Sequence, residues 1–117
     1  MSTADDFDEV FDAAYDAMHN AARLANTTAA ITPPLLYKAL GNLRATTGAL
    51  TELLASLARA ARTGAKHLEL YDSDGKDPHE QLTAALHTLE DATRTAHQLL
   101  AQLDTAQGQV GSVGCRD

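Results

Sequence analysis

The sequence predicts an all-α protein: an elongated antiparallel helical hairpin plus a shorter N-terminal helix, arranged as a three-helix bundle or coiled coil. Three observations predict it. Apolar residues alternate at steps of four and three through three segments, the core-forming residues are mainly Leu and Ala with aromatics at only 4% of the chain, and proline-led caps punctuate the segments.

In the first segment Phe7, Phe11, Ala14, Met18, Ala21 and Ala25 fall on one face of a helix spanning about residues 5 to 26. Thr32 followed by Pro33 and Pro34 then supplies an N-cap and first-turn prolines, so a second helix starts at 33. Its heptad phase runs through Leu36, Leu40, Leu43, Thr47, Leu50, Leu54, Leu57, Ala61, Gly64, Leu68 and Tyr71. Gly64 costs about 1 kcal/mol relative to Ala, and a stop at Thr63 is the alternative. Because the phase resumes beyond the glycine, the expected end is Tyr71. Asp72 to Lys76 has turn composition, and Asp77, Pro78 and Glu80 place a cap, a first-turn proline and a capping-box acid in order. The third helix, 78 to 107, carries Leu82, Leu86, Leu89, Thr93, Ala96, Leu100, Leu103 and, in phase beyond it, Val110, with Ala85, Ala92, Leu99 and Ala106 as a second stripe beside it. Gly108, Gly111 and Gly114 mark residues 108 to 117 as a flexible tail.

These lengths correspond to about 57 Å for the second helix and about 50 Å for the third, too long for a compact domain of this size, so the expectation is a rod. The short turn requires the long helices to run antiparallel, and helix one can cover only about 30 Å of their seam. The interaction seam is therefore Leu36, Leu40, Leu43, Leu50, Leu54 and Leu57 with Leu82, Leu86, Leu89, Leu100 and Leu103, and a homodimer is expected to bury what remains. A second helix kinked at Gly48 or Gly64 could instead bury the seam within one chain. Gly41, Ala45 and Gly48 form a thin close-packing strip one residue off the seam. The second helix is basic, with Lys38, Arg44, Arg59, Arg62 and Lys66 against two acids, whereas the first and third are acidic, so unlike helices can pair.

Composition bounds function. A net charge of -7 opposes binding to nucleic acid or anionic lipid, and no apolar run reaches the roughly 20 residues of a membrane span, so a cytoplasmic location is expected. The single Cys115 offers neither an internal disulfide nor, alone, a metal site. Around Asp72, Asp74 and Asp77 a calcium loop fails on spacing, since Gly75 falls at the fourth position and Thr83 at the twelfth. Asp16 with His19, and His87 with Glu90, resemble halves of a metal site, yet Arg94 lies in the same stripe as His87, Glu90 and His97 and would repel a cation. Arg59, Arg62, Lys66 and His67 end the second helix with a basic patch that reads as a solvated, paired face. No nucleophile elbow, phosphate loop or paired-Cys spacing occurs, so no catalytic or cofactor-binding residues and no cofactor are assigned.

The stretch Ile31 to Gly41, the turn Tyr71 to Pro78 and the segment Leu103 to Gln107 resemble a group of small uncharacterised actinomycete proteins that share an ITPxLxYxxLGxL opening and an acidic turn before Asp-Pro. The resemblance covers about residues 31 to 107 and implies a source rather than a chemistry. The chain departs from that group in its Gly-rich ending with Cys115. Small secreted WXG-type proteins share the hairpin size, but this chain has no Trp and no W-x-G in its turn. The reading the sequence supports is a non-enzymatic, self-associating protein-protein interaction module. The alternative is a small-molecule or metal-binding bundle acting as a sensor.

Overall fold

In the computed structural model, which describes residues 2 to 116, three α-helices follow one another: α1 (Thr3–Thr27), α2 (Pro33–His67) and α3 (Pro78–Val110). No strand occurs among the described residues. They fall into two compact units, one ending at Ile31 and one beginning at Thr32.

The first unit is α1. The Ser2 hydroxyl accepts from the Asp5 backbone N–H at 3.2 Å, and Asp5 and Asp6 place negative charge in the first turn, where the helix dipole favours it. At the other end the Thr27 and Thr28 hydroxyls donate to the carbonyls of Arg23 and Leu24, and the Thr28 backbone N–H donates to the Ala25 carbonyl. The Phe7 and Phe11 rings stack at 5.8 Å on the expected apolar face. Every described residue of this helix is exposed.

The second unit is the α2–α3 hairpin. Thr32 caps α2 through its hydroxyl and Asp77 caps α3 through Oδ1, which accepts from the His79 N–H at 2.9 Å. The proline-led starts therefore fall where the sequence puts them. The end of α2 does not. The helix continues through Gly64 and stops at His67, four residues short of Tyr71, where the Leu68 N–H donates to the Gly64 carbonyl. Residues 68–77 form the connection, with the Asp72 Oδ2 accepting from the backbone N–H groups of Asp74 and Lys76 at 3.0 Å each. Gly75 adopts φ +80°, the left-handed conformation that glycine takes without strain. The apolar phase of Leu68 and Tyr71 thus continues in sequence after the helix has ended.

At its far end α3 passes through Gly108, so helix rather than tail occupies 108 to 110. Gln107 reaches across to α2, where its Nε2 donates to the Tyr37 carbonyl at 3.3 Å. A Cβ added to Gly41 would stand 2.6 Å from that Nε2, and one added to Gly111 would stand 3.3 Å from the Tyr37 ring. These contacts fasten the open end of the hairpin.

Candidate interaction surface

The centre of the α2–α3 contact is made of small residues: Ala58 and Ala96 are 4% and 6% exposed, and Thr47 and Thr51 are each 7% exposed. The Thr51 hydroxyl donates to the Thr47 carbonyl one turn back, which satisfies it within the helix. Among the expected seam residues, Leu36, Leu40, Leu54 and Leu57 of α2 and Leu82, Leu86, Leu89, Leu100 and Leu103 of α3 are half-buried, whereas Leu43 and Leu50 are exposed. No large side chain among the described residues is fully buried.

This contact divides the hairpin's remaining surface into two edges that differ in chemistry. On one, Arg44 bonds Asp104 at 2.6 Å and Arg62 pairs with Glu90, joining the basic helix to the acidic one. An open groove of about 520 Å³ follows this edge, lined by Arg44, Ala45, His97, Leu100, Ala101 and Asp104. Both ion pairs are largely exposed, so each contributes at most about 1 kcal/mol and serves mainly to fix register. That register, 44 against 104 and 62 against 90, brings Leu50 level with Leu99 on the opposite edge. There Leu43, Leu50 and Leu99 are 41%, 43% and 43% exposed, with Leu57 half-buried beside them. One edge is polar and spanned by ions; the other is leucine.

The strip of small residues has separate fates along its length. Gly41 lies under Gln107 of the same chain, Ala45 borders the groove, and Gly48 has nothing within 4 Å of an added Cβ.

Comparison of the chain with protein-family models, with curated proteins and with solved structures finds no match.

Three of the titratable residues singled out in the sequence are engaged elsewhere. Glu90 pairs with Arg62, Arg94 with Asp91 within α3, and His19 stacks on Tyr15 at a centroid distance of 5.8 Å. Among the described residues no three of His, Cys, Asp and Glu converge to hold a metal ion, and no helix is long and apolar enough to cross a membrane. The groove at Arg44 and His97 is open to solvent along its length and would enclose a small molecule poorly. Sequence reasoning missed the clasp of Tyr37, Gln107 and Gly111, because it depends on helix register, which the periodicity of either helix alone does not contain.

Proposed function

We propose that this chain is a non-enzymatic helical interaction module that self-associates as a homodimer and works in the cytoplasm. The observation carrying the reading is the thin core of the hairpin: of two helices of 35 and 33 residues only Thr47, Thr51, Ala58 and Ala96 are buried, while their leucines stay half-buried or exposed. Long helices draw most of their stability from packing of the apolar face, and half-buried leucines leave much of that stabilisation unrealised. A second copy supplies the missing cover without adding any component.

Association of this kind makes stability depend on protein concentration. Thermal melts followed by circular dichroism between about 100 and about 1 µM are expected to shift to lower temperature on dilution. A midpoint that stays constant across that range overturns the proposal.

A further inference from the structure

We draw no further inference here: the strongest candidate, the leucine edge of the α2–α3 hairpin at Leu43, Leu50 and Leu99, is an unpartnered apolar face, and nothing in the structure shows what covers it.

Discussion

Ala96→Asp tests the centre of the hairpin contact most severely. Ala96 is 6% exposed and lies on the α3 face packed against α2, so the new carboxylate would be almost completely removed from water. Burying an unpartnered polar group costs about 1–3 kcal/mol and an ionised one more, so about 3 kcal/mol is expected at neutral pH. For a domain near 100 residues that lowers the melting midpoint by about 12 °C. Burial raises the carboxyl pKa of the folded state above the unfolded value of about 3.9. Below about pH 3.9 both states are protonated and only the packing cost remains, while the penalty grows as pH rises toward neutral. Melts of the variant and the wild type at pH 3.5 and pH 7 should therefore show a larger difference at pH 7. Ala55→Asp, at an exposed position of α2, should stay within about 0.5 kcal/mol of wild type at both. A penalty at position 96 that is below about 1 kcal/mol, or is the same at both pH values, would refute the packing described for this face.

Three further outcomes are expected. Gly48→Ala should stabilise by about 1 kcal/mol, because nothing lies within 4 Å of the added Cβ, whereas Gly41→Ala must displace Gln107 from Tyr37 and should gain nothing; equal chemical-denaturation midpoints for the two would contradict the clasp. Asp77→Ala removes the cap on the His79 N–H and should cost about 1 kcal/mol in the same assay, an unchanged midpoint arguing against the observed cap. Melts with and without a chelator should coincide, and a fall of several degrees would reveal a structural metal.

Helix starts were the most legible features, since Thr32-Pro33-Pro34 and Asp77-Pro78 combine a capping oxygen with prolines that fit only a first turn. The face of α3 was equally readable: Leu82, Leu86, Leu89, Thr93, Ala96, Leu100 and Leu103 are all half-buried or buried. The end of α2 was not readable from its apolar period, because Leu68 and Tyr71 hold the heptad phase while residues 68–77 form the connection and the Asp72 carboxylate binds its turn. Periodicity also marks a stripe without fixing its rotation. The contact centres on Thr47, Thr51, Leu54 and Ala58, which leaves Leu43 and Leu50 on its flank, and only the partner helix and its ion pairs determine that angle. The two edges, one ion-paired and one leucine, follow from it.

Sedimentation equilibrium of the full chain at micromolar concentration measures self-association directly. A mass of twice 12.4 kDa, falling toward 12.4 kDa on dilution, is the predicted result. A single species at 12.4 kDa at every concentration, still fully helical, would contradict the homodimer.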